Sequence, residues 1–142
     1  MRGMKRETKV VLVLSLLLAI VVTIYLRLDR PYIGLQHQKN SVAIDVQTLG
    51  EYPTTVSHIR LTEVSSGKVV FEVVRDHGTP QLHTFTLAAG DNTTDLIDPQ
   101  SGDYRIATPV TDKKFSLRFG EEYKLAIWGS GWLSNTVSFK IQ

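Results

Sequence analysis

The sequence FSLRFGEEYKLAIWGSGWLSNTVSFKI, residues 115–141, contains three short segments in which apolar and polar side chains alternate. The segments are residues 115–119, 122–128 and 135–141. In the second of them Tyr123, Leu125 and Ile127 fall on one face. An alternation with a period of two is typical of a strand that buries one side. The stretch therefore predicts three consecutive β-strands.

The same alternation recurs between residues 42 and 107, where turn-forming residues separate the apolar segments. The predicted strands there are residues 42–47, 58–64, 69–74, 82–87 and 104–107. Gly67 lies between the second and third of them, where a short hairpin loop needs a positive φ. No stretch after residue 30 has a helical period. Seven or eight short strands joined by turns predict an all-β, antiparallel sandwich.

Three residues of the C-terminal stretch form a family pattern. Leu117 stands six residues before Tyr123, and Gly120 lies between them. On these residues, the segment 115–141 resembles the end of a fibronectin type III or immunoglobulin-like domain. In that family the Tyr hydroxyl bonds back to the backbone, a feature called the tyrosine corner. The resemblance implies an immunoglobulin-like fold whose members bind or space other molecules and share no common chemistry.

Near the N-terminus, residues 10–26 read VVLVLSLLLAIVVTIYL and carry no charge. A helix of 17 residues is about 25 Å long, which is at the short end of what crosses a bilayer core. We therefore predict one transmembrane helix over residues 10–28. Residues 1–9 are basic, so the positive-inside rule predicts a cytoplasmic N-terminus and a domain outside, in the periplasm if the cell is bacterial.

The apolar segment has two other interpretations, namely a cleaved signal peptide and a lipoprotein or pilin. A lipoprotein needs a cysteine, and the chain has none. A cleaved signal peptide needs small residues at a peptidase site, and no Ala-x-Ala-like pair occurs between residues 20 and 31. A pilin needs a processing site next to its apolar segment, whereas Met4, Lys5, Arg6 and Glu7 follow Gly3. The sequence favours an uncleaved anchor.

Residues 29–41 are polar and lack apolar periodicity, so they predict a tether with an extended reach of about 40 Å. The predicted sandwich then occupies residues 42–142. That part has nine Lys or Arg against twelve Asp or Glu, a net charge of −3. Nucleic-acid binding is disfavoured because it needs a basic face. The chain has no cysteine, which excludes a disulfide scaffold and a thiol nucleophile.

Two indoles and a leucine surround a Gly-Ser-Gly loop at the last predicted hairpin, and we predict a partner-binding site there. The residues are Trp128, Trp132 and Leu133. Such a group can anchor a protein partner, stack on a sugar or touch the bilayer surface. The alternative is that these side chains cover the open end of the sandwich as a satellite cluster.

Two groups of polar residues contain side chains that can bind metals, but neither group is predicted to be a metal site. His77 and His83 with Asp76 are the first group, but their spacing matches no familiar ligand motif. The second group offers oxygen ligands for calcium but lacks the EF-hand glycine and glutamate, and it consists of Asp91, Asn92, Asp95, Asp98 and Asp103. Asp and Asn also make turns through bonds to their own backbone. No metal and no cofactor is expected.

Small residues four apart, Ser15, Ala19 and Thr23, form a stripe on the predicted membrane helix that is typical of helix packing. No catalytic motif appears, and the adjacent Glu121 and Glu122 point to opposite faces of a strand. The sequence favours a non-catalytic binding or assembly subunit of a cell-envelope complex, whose partners are the bilayer and another envelope or membrane protein. The alternative is a membrane-tethered metal- or carbohydrate-binding module.

Overall fold

The N-terminal apolar segment forms a helix. A computed structural model describes residues 6–47, 54–75, 81–82, 84–93, 104–108, 114–129 and 133–142. Helix α1 spans Arg6–Asp29, and its apolar side chains from Val10 to Tyr25 are exposed in the isolated chain. Residues Arg6–Tyr25 have a mean hydropathy of 2.4, so α1 is long and apolar enough to cross a membrane. In the described ranges it is the only such helix.

All strand pairs in the described residues are antiparallel. The strands are β1 Tyr32–Gln38, β2 Ser41–Gln47, β3 Thr54–Thr55, β4 His58–Glu63, β5 Val69–Arg75, β6 Gln81–Leu82, β7 Phe85–Ala88, β8 Gly90–Thr93, β9 Tyr104–Thr108, β10 Lys114–Leu117, β11 Glu122–Trp128 and β12 Ser134–Lys140. These are more than the seven or eight expected. The strands β1, β3 and β8 lack a clear apolar alternation, and the strand predicted over residues 82–87 corresponds to two strands, β6 and β7. After α1, the described residues are mostly in antiparallel strands, which agrees with the all-β prediction.

The largest sheet has the strand order β12-β11-β4-β5-β9. A three-stranded sheet has the order β1-β2-β7, and β10 pairs with β8. The strands β3 and β6 form a two-residue ladder of their own. The prediction of a hairpin between β4 and β5 is confirmed, with Gly67 at a φ of 69° in its turn.

The segment predicted as a tether, residues 29–41, differs in the structure. Strand β1 occupies Tyr32–Gln38 and pairs with β2 along its whole length, and Ile33 is only 6% exposed. Only Arg30 and Pro31 separate α1 from β1. Two residues reach about 7 Å instead of about 40 Å, so the domain lies directly at the end of the helix.

The core lies between the inward faces of the sheets. In β11 every second side chain, Tyr123, Leu125 and Ile127, is buried as the alternation predicted. Phe71 of β5 and Phe115 of β10 stack with ring centroids 4.7 Å apart, which joins the largest sheet to the β8-β10 pair. Stacked aromatic pairs of this kind stabilise a core beyond their buried area.

The hydrogen bond expected at Tyr123 is present. The buried Tyr123 hydroxyl accepts from the backbone N–H of Arg118 over 2.7 Å. Leu117 is buried beside it, and Gly120 has a φ of 76°, a left-handed conformation that favours glycine. The Gly120 N–H donates to the carbonyl of Ile141, which ties this corner to the chain end.

The strands end at two opposite ends of the domain, which we call the helix-proximal end and the far end. At the helix-proximal end, Arg30 Nε donates to the Ser134 carbonyl over 3.2 Å, and Ser134 pairs with Trp128. At the far end, the Asn40 N–H donates to the Gln142 carbonyl over 3.0 Å. The turn at residues 64–68 also lies at the far end, because Val64 bonds to Glu122.

Candidate functional site

Trp128 lies on the outer face of the largest sheet, as alternation from Tyr123, Leu125 and Ile127 predicted. Its ring stacks on His58 with centroids 4.3 Å apart and an interplanar angle of 17°. The Arg60 guanidinium carbon lies 5.7 Å from the centroid of the same ring, within the range of a cation–π interaction. These contacts follow from register, since His58 lies opposite Trp128 on the neighbouring strand.

Glu72 of β5 completes this group, which we call the Trp128 cluster: Trp128, His58, Arg60 and Glu72. One carboxylate oxygen of Glu72 accepts from Arg60 Nε at 2.9 Å and from Nη2 at 2.7 Å. The same oxygen lies 2.6 Å from His58 Nε2. Burial raises the pKa of Glu72, but the hydrogen bonds from Arg60 and His58 outweigh it and hold the pKa below its ordinary value.

The side chains of the Trp128 cluster hold one another in place. Its carboxylate is engaged by a guanidinium and an imidazole, and Trp128 is half-buried between its neighbours. An aromatic ring held in this way is a rigid contact surface that loses little conformational entropy when a partner binds. Partner binding by Trp128 stays a prediction.

The hairpin that follows Trp128 lies at the helix-proximal end. The Gly129 N–H donates to the Leu133 carbonyl over 3.1 Å, which closes the hairpin at its base, and Leu133 is half-buried. Trp132 lies outside the described residues. Since Arg30 bonds to Ser134 directly after Leu133, the hairpin is adjacent to the end of α1.

Most residues of the two candidate metal groups lie outside the part of the chain that the structure describes. Asp76, His77 and His83 lie outside the described residues, as do Asp95, Asp98 and Asp103. Asn92 is 6% exposed, and its amide is engaged by the backbone of Ala88 and Gly90 at 2.8–3.0 Å. It acts there as a turn residue. In the part of the chain that the structure describes, no three His, Asp or Glu side chains cluster as metal ligands would.

The small-residue stripe lies on the exposed surface of α1. The Thr23 hydroxyl donates to the Ala19 carbonyl over 2.7 Å, so its polar hydrogen is satisfied within the helix and costs little in lipid. Ser15 and Ala19 are exposed in the isolated chain. Packing of this stripe against another helix stays a prediction.

Sequence reasoning missed a cleft of about 560 Å³ at the far end. The cleft is lined by Glu63, Lys68, Val70, Lys114, Phe115, Ser116 and Arg118. Glu63 is 7% exposed and accepts from the Ser66 hydroxyl and from Arg118. The hydrogen bonds from Ser66 and then Arg118 lower the pKa of Glu63, and Glu63 in turn raises the pKa of Arg118. No local sequence pattern indicated the cleft, because its three cations, Lys68, Lys114 and Arg118, are far apart in the chain.

We expect the stability of the protein to fall as the pH drops from about 5 to about 3. Glu72 has a lowered pKa in the folded state, so its contribution is present above the unfolded-state pKa of about 4.3 and is lost as the pH falls through the lower folded-state pKa. Glu72→Gln removes that contribution at every pH and should flatten this part of the profile. Thermal unfolding in detergent micelles between pH 3 and 7 measures it.

Glu122→Gln, which removes an exposed carboxylate of β11, is the matched control. It should keep the wild-type pH profile, apart from a small uniform offset. Identical profiles for the two variants would show that the ion pairs of Glu72 do not contribute to acid sensitivity.

The comparisons with known proteins give no relative. The sequence matches no protein-family model, and neither a curated protein nor a solved structure is significantly similar to it. Function therefore has to be inferred from the residues and their geometry.

Proposed function

We propose that the protein is a non-catalytic, single-pass membrane protein that presents an immunoglobulin-like domain outside the cytoplasm and acts as a binding or assembly subunit of a cell-envelope complex. The observation that carries the proposal is the junction after α1. An apolar helix with exposed side chains is joined by Arg30 and Pro31 alone to a strand of the domain. Such a chain holds its domain at the membrane surface.

The strand order supports an immunoglobulin-like assignment. In that fold strands G, F, C and C′ lie side by side in one sheet. Here β12, β11, β4 and β5 lie side by side in the corresponding order. The Tyr123 hydrogen bond lies at the start of β11, which corresponds to strand F. The pairing of β10 with β8 and of β7 with β2 distinguishes this chain from the standard constant-type order.

Charge supports the orientation. Residues 1–9 carry Arg2, Lys5, Arg6 and Lys9 against Glu7, and this excess of positive charge favours the cytoplasmic side. The domain is then outside, which in a bacterium is the periplasm. No small-residue peptidase site follows the apolar segment, so the helix is retained as an anchor.

Geometry supports an assembly role. The hairpin of Trp128 and Leu133 is adjacent to the end of α1, and the stripe of Ser15, Ala19 and Thr23 lies on the exposed helix surface. A membrane protein beside this one can contact both features together. Aromatic residues at such a position are typical anchors of an interface.

Purification of the full-length protein from its native membrane in mild detergent tests the proposal. A photo-crosslinker at Trp132 should give one discrete protein adduct in stoichiometric amount, identified by mass spectrometry. A crosslinker at Ser138, which is exposed on β12 away from the hairpin, is the matched control and should give none. A protein that is recovered alone, without a stoichiometric companion, would contradict an assembly subunit.

A further inference from the structure

We propose that the far end of the domain binds an acidic, extended segment of a partner protein that carries a bulky apolar side chain. The far-end surface consists of the cleft together with Val64 and Phe119. This inference rests on the proposed function, since it names the kind of partner that a binding subunit would hold. It assigns a second contact to the end of the domain opposite the membrane helix, apart from the helix-proximal contact of the proposed function.

Large apolar side chains are exposed at the far end of the domain. Beyond α1, the described residues include three large apolar side chains that are exposed: Tyr32, Val64 and Phe119. Two of them are at the far end, and Phe119 is 66% exposed in the turn between β10 and β11. Aromatic residues are enriched in the centres of protein interfaces, where they supply much of the binding energy. Phe119 is therefore the anchor of the surface.

The lining of the cleft carries an excess of positive charge. Three cations, Lys68, Lys114 and Arg118, line the cleft, and its one carboxylate, Glu63, is already engaged by Arg118 and Ser66. In the described part of the chain, neither lysine has a carboxylate partner. The cleft is thus positive on a domain whose residues from 42 onward have nine basic against twelve acidic side chains. An acidic segment is attracted to this cleft, and complementary charge of this kind gives specificity.

The floor of the cleft is apolar. Val70 and Phe115 line it, and Phe115 is held by stacking on Phe71 at 4.7 Å. A volume of about 560 Å³ is within the range of ligand-binding clefts, and a preformed apolar floor saves the cost of ordering on binding. The floor fits an apolar side chain of the segment, and the lysines fit its carboxylates.

The cleft lies at a distance from the end of the membrane helix. Strand β1 starts two residues after α1 and runs seven residues to the far end, a distance of about 23 Å. With β1 continuing along the direction of α1, that distance holds the cleft away from the lipid headgroups. We place the partner's approach on the side away from the bilayer.

A binding measurement with a defined probe tests the inference. The full-length protein in nanodiscs of zwitterionic lipid is titrated into a fluorescein-labelled peptide, Asp-Leu-Asp-Phe-Asp-Val-Asp, and anisotropy is recorded. Binding is expected, with an affinity that falls as salt is added. The peptide with Lys in place of Asp should not bind.

Two sets of variants locate the site. Lys68→Glu with Lys114→Glu should weaken binding at least about tenfold, and Phe119→Ala should weaken it about thirtyfold, as expected for a hot-spot aromatic. Lys124→Glu with Lys140→Glu gives the same change in net charge on exposed positions of β11 and β12 and should leave the affinity unchanged. All these side chains are exposed or line the open cleft, so thermal midpoints should confirm that each variant is folded.

Each other outcome overturns the inference. Absence of binding, equal binding of the acidic and basic peptides, or equal losses in the control pair would exclude this surface. Dependence on Lys68 and Lys114 without dependence on Phe119 would identify a small-anion site instead of a protein-binding one. Stoichiometric co-purification with a Trp132 adduct would preserve the proposed function even where the peptide result is negative, so the two failures are distinguishable.

Discussion

Replacement of Phe71 by alanine is expected to lower the free energy of unfolding by about 3–5 kcal/mol, the cost of removing a large aromatic side chain from a packed core. Phe71 is 1% exposed, and its stack with Phe115 joins the largest sheet to the β8-β10 pair. The substitution therefore leaves a cavity where the two sheets meet. For a domain of about a hundred residues, the midpoint of thermal unfolding should fall by at least about 12 °C.

Phe119→Ala is the matched control, because it is the same chemical change at an exposed position. Its effect should stay within about 0.5 kcal/mol, as for other surface substitutions. Both variants are measured by thermal unfolding of the full-length protein in detergent micelles. Equal destabilisation by the two changes would mean that Phe119 packs against the domain, and it would also remove the anchor of the far-end surface.

Leu14→Arg combined with Leu18→Arg is expected to prevent stable membrane insertion. Each arginine near the centre of a membrane helix raises the insertion free energy by about 2.5–3.5 kcal/mol, so the pair costs about 5–7 kcal/mol. The two positions are one turn apart and both side chains are exposed on α1. Alkaline extraction of membranes should move the variant from the pellet, where the unmodified protein stays, to the supernatant.

Leu14→Ala with Leu18→Ala is the control for this experiment. It shortens both side chains without adding charge, and the protein should stay in the membrane pellet. If the double arginine variant also resisted extraction, α1 would not be what holds the protein in the membrane. The anchor proposal would then be wrong, whatever the domain binds.

Local patterns were enough for the half-buried strands. In β11 the alternation predicted both the buried face and the outward position of Trp128, because a strand places successive side chains on opposite sides whatever lies beside it. The hydrogen bond of Tyr123 was expected from the resemblance to immunoglobulin-like domains, which rests on Leu117, Gly120 and Tyr123. The donor, Arg118, and the acceptor, Tyr123, are close in sequence, so the bond depends on the local fold of one corner of the chain.

Strand β1 could not be predicted in the same way. Its residues, YIGLQHQ, contain two aliphatic side chains among glycine and polar residues, and the segment has the composition of a linker. It is a strand because β2 offers it a full antiparallel ladder, from Tyr32 opposite Gln47 to Gln38 opposite Ser41. Pairing with a neighbour outweighs a weak intrinsic preference.

The sequence by itself determined a membrane-length apolar helix, an all-β domain and the buried face of its main strands, because these properties follow from periodicities within single segments. Only the tertiary structure decided that the domain begins directly at the helix, that Trp128 stacks on His58 beside Arg60 and Glu72, and that Lys68, Lys114 and Arg118 line one cleft. The reason is physical. Strand register and sheet packing bring these groups together from distant parts of the chain. A local sequence pattern does not specify which distant residues will be neighbours.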